Sequence, residues 1–436
     1  MDSMLTGIEA QGEIREHKNA RLGAGLIAAT VAGNALEFYD FLTYSTFSVY
    51  IGKTFFPSKD PFISLLLSLA TFGVGFFTRP LGGVLIGAYA DRAGRKPAMM
   101  LTIAMITLGT LGLAATPGYA TIGLAAPIIL VVCRLLQGFA LGGEVGPTTA
   151  VLFECAAPGK YGAAVSWQIA SQGIAIFAGG AAGGVLAAVL DKEQLAEWGW
   201  RLPFLLGLAI VPLGIYLRRR LPETLEKPGS HGGGAILREL FTDYPRPVVL
   251  GLLIIMCLTI TTYIGNYMTT YALTTLKMPP SQAMLATLTQ GVCTATAALI
   301  GGRLADRFGW KIVMIVPRLV LMLAIFPIFM LLVSLRSTEA LIGVAAFNAL
   351  LSACSGAAST AALASIFPNR VRGAGVAIVY AFAVSVFGGS TQFVVAWLTG
   401  TTGDPLSPAY YAALTSAIGL AAMFALPKPP APPKHD

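Results

Sequence analysis

Long apolar stretches separated by short polar breaks run along the chain from residue 22 to residue 426. Twelve can be marked: 22–51, 62–90, 97–115, 121–153, 162–190, 199–218, 247–276, 282–303, 311–334, 339–366, 373–399 and 407–426. A helix crosses the hydrocarbon core of a bilayer with about 20 residues, and these stretches are of that length or longer. The longer ones predict tilt, or helix that continues past the bilayer. The expectation is an all-α membrane protein with twelve transmembrane helices.

The polar breaks carry a repeat. Gly87-Ala-Tyr-Ala-Asp-Arg-Ala-Gly-Arg-Lys96 puts glycines and charges between two apolar stretches, and Gly302-Arg-Leu-Ala-Asp-Arg-Phe-Gly-Trp-Lys311 restates it. Asp91 and Asp306 are 306 − 91 = 215 residues apart, close to half of the 436. A half-length period predicts two homologous six-helix bundles. The boundaries read as a polar tail over 1–21, a first bundle over 22–218, a linker over 219–246, a second bundle over 247–426 and a proline-rich tail over 427–436. In the linker, Ile236 to Phe241 has the pattern of a short amphipathic surface helix. In the repeated break, glycine permits close helix approach and an aspartate suits a helix N-terminus.

Composition sharpens the class. Apolar residues make up 55% of the chain, charged residues 11%, and the mean hydropathy is +0.72, which excludes a soluble domain. The net charge of +8 does not point to nucleic acid, because the basic residues lie in short breaks rather than on one face. With both termini cytoplasmic, the outer breaks hold only Lys53, Lys59, Lys192, Lys277 and Arg336. The inner ones hold the far larger share, Arg92, Arg95, Lys96, Arg218, Arg219, Arg220, Arg303, Arg307 and Lys311 among them. This asymmetry predicts the orientation. The first apolar stretch exceeds a signal h-region and reads as a retained span. Five cysteines without CxxC spacing read as small apolar filler.

Ionisable residues inside apolar stretches are the candidates for chemistry, because a charge at mid-membrane needs a partner or water. The basic ones are Arg79, Arg134, Arg201 and Arg318; the acidic ones are Glu37, Asp40 and Glu144. The histidines, His17, His231 and His435, lie outside the spans, so a coupled proton would ride on a carboxylate. Glu37 and Asp40 share a helix face, which Asn34 extends by one turn, and two nearby carboxylates at low dielectric suit proton exchange. Glu37, Asp40, Arg79 and Arg134 fall at similar depth. They are either a functional cluster or structural ion pairs within the bundle. Arginine binds carboxylate in bidentate fashion, so the excess of arginine favours an anionic ligand. Gln168 and Gln172 on the fifth helix, with Tyr263, Asn266 and Tyr267 on the seventh, are candidate ligand contacts or helix–helix hydrogen bonds. Asn348 and Tyr380 are further candidate donors. Walker loop, HExxH and nucleophile-elbow patterns are absent from the sequence, and no cofactor is called for.

The G-x-x-x-D-R-x-G-R-K break, with its second copy carrying Trp310 where arginine is usual, resembles the signature of the major facilitator superfamily. Gly33-Asn-Ala-Leu-Glu-Phe-Tyr-Asp-Phe41, Phe77-Thr-Arg-Pro-Leu-Gly82, Arg134-Leu-Leu-Gln-Gly138, Gly142-Gly-Glu144 and Glu197-Trp-Gly-Trp-Arg-Leu-Pro-Phe204 resemble its metabolite:proton symporter branch. Gly118 to Pro127 and Ser166 to Gln172 are most similar to citrate and tricarballylate symporters. The resemblance implies alternating access and proton-driven import of a small organic anion across the bacterial inner membrane, by a protein expected to be monomeric. Its partners are the anion, protons and lipid. On this reading Arg79, Arg134, Asn34, Gln168, Gln172, Tyr263, Asn266 and Tyr267 contact substrate, and Asp40, Glu37 and Glu144 couple protons. Gly87, Asp91, Arg92, Arg95, Asp306 and Arg307 gate. The alternative within the branch is a symporter of zwitterionic betaine or proline, or of another acid such as shikimate or 2-oxoglutarate.

Overall fold

A computed structural model describes residues 27–28, 31–93, 95–142, 152, 156, 159–219, 239–368 and 371–426. Glu144, Gly94, both tails and most of the linker lie outside these residues.

The described residues form twelve helical segments that follow the apolar stretches. In the first half, α1 covers 31–46 and continues as Ser48–Phe55, and α2 joins Pro61–Phe77 to Arg79–Ala93. Then come α3 (Arg95–Ala115), α4 (Ala125–Gly142), α5 (Tyr161–Val189) and α6 (Leu202–Arg219). In the second half, α7 is Pro245–Thr274, α8 Pro280–Phe308, α9 Trp310–Leu335 and α10 Thr338–Ile366. Helix α11 runs from Arg372–Ala383 through a π-helical turn at Val384–Gly388 into Gly389–Thr402, and α12 is Ser407–Ala425. Among the described residues, nine of these are long and apolar enough to cross a membrane. Without water, each backbone group in a span must be satisfied internally, which is why the apolar runs are helical.

Local chemistry sets the ends. Asp60 caps α2 by accepting from the Phe62 amide, with Pro61 at the first helical position. Ser337 caps α10 through the Ala340 amide. The α8–α9 corner turns at Gly309, whose φ of 85° suits only glycine readily. In the linker, residues 239–243 are helical.

The repeated breaks differ from the expected loops. Residues 87–96 and 302–311 read as short loops in the sequence, but Gly87 to Ala93 are the last turns of α2, and Gly302 to Phe308 the last turns of α8. The basic Arg92 and Arg307 fall in those final turns, where a cation complements the helix dipole. These turns define the motif end of the molecule; the opposite side is the far end.

Helices α1–α6 and α7–α12 make the two halves. Between them the main contacts are α5 on α8 and α10, and α2 on α11. Small residues make the approach close. A Cβ at Gly180 would lie 2.6 Å from the Leu288 amide nitrogen, and one at Gly73 would lie 2.5 Å from the Gly389 carbonyl oxygen. Such contacts let the halves meet with little side-chain interlocking. The described cysteines, Cys133, Cys257, Cys293 and Cys354, are free.

Candidate functional site

The kink in α2 builds the N-terminal part of the site. Pro80 has no amide hydrogen, and the helix is interrupted at Thr78. The Thr78 hydroxyl donates to the Leu135 carbonyl of α4 at 2.8 Å. Gly75 faces the Arg134 backbone, and Gly142 faces that of Arg79, so α2 and α4 lie close together. Arg79 and Arg134 thereby come to one place. Their guanidinium carbons lie 4.6 and 4.4 Å from the centroid of the same ring, that of Phe41. Arg79 also stacks on Phe76 at 4.2 Å, and Arg134 on Tyr44 at 4.5 Å. Arg79 is 4% exposed and Arg134 fully buried.

Neither arginine is saturated. Arg134 donates from Nη1 to Gln137 Oε1 at 2.7 Å, but its Nε and Nη2 have no hydrogen-bond partner. Arg79 Nε and Nη2 are likewise without one. Tyr263 of the other half packs on Phe76, the ring on which Arg79 stacks.

A chain of hydrogen bonds leads from Arg134 to Asp40. Gln137 Nε2 donates to Thr110 Oγ1 at 2.9 Å, and Thr110 Oγ1 donates to Asp40 Oδ2 at 2.6 Å. Of Glu37, Asp40, Arg79 and Arg134, the structure brings the two arginines to one ring and joins Arg134 to Asp40 through two neutral side chains from α4 and α3. Gln137 and Thr110 did not stand out in the sequence. The spacing of three between Arg134 and Gln137 was the available signal. Glu37 and Asp40 share a second cavity of about 40 Å³ with Gly33, Thr107, Gly207 and Val211, between α1, α3 and α6.

The central cavity lies between the halves and has a volume of about 80 Å³. Gln168 and Gln172 from α5 line it. So do Tyr263 and Asn266 from α7, Gln290 from α8, Asn348 and Ser352 from α10 and Tyr380 from α11. Its lining, among the described residues, is uncharged. The arginines stand behind it, reached through Tyr263, whose ring packs on Phe72 and Phe76. The π turn of α11 supports this aromatic layer, because a Cβ at Gly388 would lie 3.0 Å from both the Phe76 and Tyr263 rings. Gln290 was missed in the sequence, since a single amide in an apolar stretch has no periodicity.

Other expected contacts lie elsewhere. Asn34 does not line the cavity. It donates to Ser171 Oγ at 2.6 Å and accepts from Gln168 Nε2 at 3.3 Å, orienting α5 on α1. Tyr267 also stands apart from the cavity, in the core of the C-terminal half beside Tyr271. Arg201 donates to the Glu197 and Thr116 carbonyls, and Arg318 donates to Thr261 Oγ1.

Contacts between the halves flank the cavity on both sides. At the motif end, Asp306 of α8 accepts from the Gly162 and Ala163 amides at 2.7 and 2.8 Å, at the N-terminus of α5. Arg307 lies over Phe308, Arg92 is exposed, and Gly87 has open space around it. The side chains of Asp91 and Arg95 lie outside the described part of the structure. At the far end the contacts are neutral. Ser48 and Thr270 hydroxyls are 3.0 Å apart, and Gln392 Nε2 donates to Ser45 Oγ at 2.6 Å.

The Major Facilitator Superfamily model matches residues 30–334 and 252–436. The chain belongs to this superfamily. A citrate-proton symporter of Klebsiella pneumoniae is 36% identical over 92% of this chain and 91% of its own. A proline/betaine transporter of Salmonella typhimurium is 31% identical over 94% and 84%. Among solved structures, the partially occluded inward-open xylose transporter XylE from E. coli superposes with a TM-score of 0.73 at 17% identity, covering 93% of this chain and 97% of its own. That likeness establishes the two-bundle fold. The first two relatives are transporters of the two substrate classes that the sequence resemblance anticipated.

Proposed function

We propose that the chain is a proton-coupled symporter that imports a small organic anion, a di- or tricarboxylate of the citrate type, by alternating access. One observation carries this reading: Arg79 and Arg134 leave four guanidinium nitrogens without acceptors in the buried layer behind the cavity. A buried cation lacking acceptors is costly. A carboxylate that reaches this layer as the halves rearrange satisfies it with paired, charge-assisted hydrogen bonds. Asp40 lies at the other end of the Arg134–Gln137–Thr110 chain, placed for its protonation state to be felt by Arg134. Glu37 shares the second cavity with it, and Glu144, outside the described residues, is kept as a third proton-coupling candidate. The Asp306 contact, with Asp91, Arg92, Arg95 and Arg307 around the motif end, acts as a latch between the halves. The protein sits in the bacterial inner membrane as a monomer with both termini cytoplasmic, as the distribution of lysine and arginine favours.

The 31% identity to a proline/betaine transporter favours a second reading, import of a zwitterion. A quaternary ammonium would call for an aromatic cage. Tyr263, Tyr380 and Phe38 line the cavity, but Tyr267 does not. Uptake of labelled citrate into proteoliposomes under an imposed proton gradient tests the choice. Citrate uptake abolished by an uncoupler and undiminished by excess betaine supports the anion reading. Betaine uptake without citrate uptake rejects it.

A further inference from the structure

On the C-terminal wall of the cavity, three neighbouring amides, Asn348, Gln290 and Asn266, leave two acceptors and one donor without partners. Asn348 directs its Nδ2 to the Thr261 carbonyl at 3.1 Å, which leaves Oδ1 without a partner. Gln290 directs its Nε2 to Asn266 Oδ1 at 2.6 Å and towards the Thr262 carbonyl at 3.4 Å, which leaves Oε1 without one. Backbone carbonyls only accept, so they fix which way each amide points. Asn266, having accepted with Oδ1, keeps Nδ2 as an unpaired donor. The three side chains are 4%, 2% and 5% exposed, and all three line the cavity. They converge because α7 carries Gly265 between them. A Cβ there would lie 2.8 Å from Gln290 Nε2 and 2.9 Å from Asn348 Nδ2.

An ionised carboxylate is a poor match for the Asn348 and Gln290 oxygens, since it would set its own oxygens against two more acceptors. An alcohol is a good match. A hydroxyl has one hydrogen to donate and lone pairs to accept, and the three amides offer two free acceptors beside one free donor, with the Ser352 hydroxyl unpaired on the same wall. We propose that Asn348, Gln290 and Asn266 form a subsite for a hydroxyl on the transported acid, so that the protein selects hydroxylated carboxylates over the same skeletons lacking the hydroxyl. The subsite rests on the organic-acid reading and gives the C-terminal wall to the part of the substrate that is not a carboxylate. Sites built to pair a substrate hydroxyl discriminate against the analogue without it, because their buried polar atoms are then left unpaired.

Citrate and tricarballylate differ only in that hydroxyl, and their uptake into proteoliposomes at matched proton gradient is the test. Wild type is expected to take up citrate with about tenfold or greater efficiency over tricarballylate. Asn348→Leu and Gln290→Met keep side-chain volume and remove the acceptor. Each is expected to bring the ratio to within about threefold of one, by a fall in citrate uptake with tricarballylate uptake retained. Thermal stabilisation of each purified variant by tricarballylate confirms that it is folded and binds. Equal efficiency for the two acids in wild type, or the wild-type preference surviving in both variants, overturns the subsite and leaves the organic-acid reading standing. Uptake of neither acid overturns both.

Discussion

Asp306 on α8 accepts the Gly162 amide of α5 at 2.7 Å and the neighbouring Ala163 amide at 2.8 Å. One carboxylate thus binds the positive end of a helix that belongs to the other half. In an alternating-access protein such a contact favours the state closed at the motif end. Asp306→Ala removes both acceptors and leaves the helix end to water. The expected result is a shift towards the state open at that end, by about tenfold or ~1.4 kcal/mol. The rate of thiol labelling of Thr360→Cys, a cavity residue, in a cysteine-free background measures it.

The far end is held by neutral contacts, Ser48 to Thr270 and Ser45 to Gln392. Each is worth about 1 kcal/mol net. Thr270→Val is expected to shift the balance the opposite way, by about fivefold. Combined with Asp306→Ala it should bring labelling of Thr360→Cys back towards the wild-type rate. Two shifts in the same direction would show that the ends do not oppose each other.

Gly180 meets the Leu288 backbone where α5 crosses α8. Backbone cannot give way as a flexible side chain does. Gly180→Val is expected to reduce transport to the few-per-cent level while the protein still elutes as a single folded species from size exclusion. Transport near wild type would mean that the close approach has no part in the cycle.

Thr110 links Asp40 to the Gln137–Arg134 pair. Thr110→Val keeps the shape and removes both the donor to Asp40 and the acceptor for Gln137. Loss of such a buried partner costs about 1–3 kcal/mol. Gradient-driven accumulation is expected to fall at least tenfold with exchange of citrate across the membrane retained, and Thr110→Ser should restore it. Parallel loss of exchange and accumulation in both variants would make the link structural.

The helices and the two-half plan were legible in the sequence because bilayer crossing is a one-dimensional requirement on consecutive residues. The charges were legible for a related reason: Asp40, Arg79 and Arg134 stand out in apolar runs. What they touch was not. Thr110 reaches Asp40 and Gln137 from a third helix, and its approach to α4 depends on Gly109, where a Cβ would lie 2.6 Å from Gln137 Cγ. Asp306 finds backbone amides, which have no sequence signature. Tyr263 and Tyr267, four apart, were expected to share one role, yet the first lines the cavity and the second packs in the C-terminal core.

The proton's carrier is settled by Asp40→Asn in proteoliposomes, with citrate accumulation under a proton gradient measured beside citrate exchange at equal internal and external pH. Asparagine is close in size but cannot take up and release a proton. If Asp40 carries the proton, accumulation is abolished while exchange stays within about threefold of wild type. Accumulation persisting in Asp40→Asn, still sensitive to uncoupler, would contradict that role and move the proton to another carboxylate.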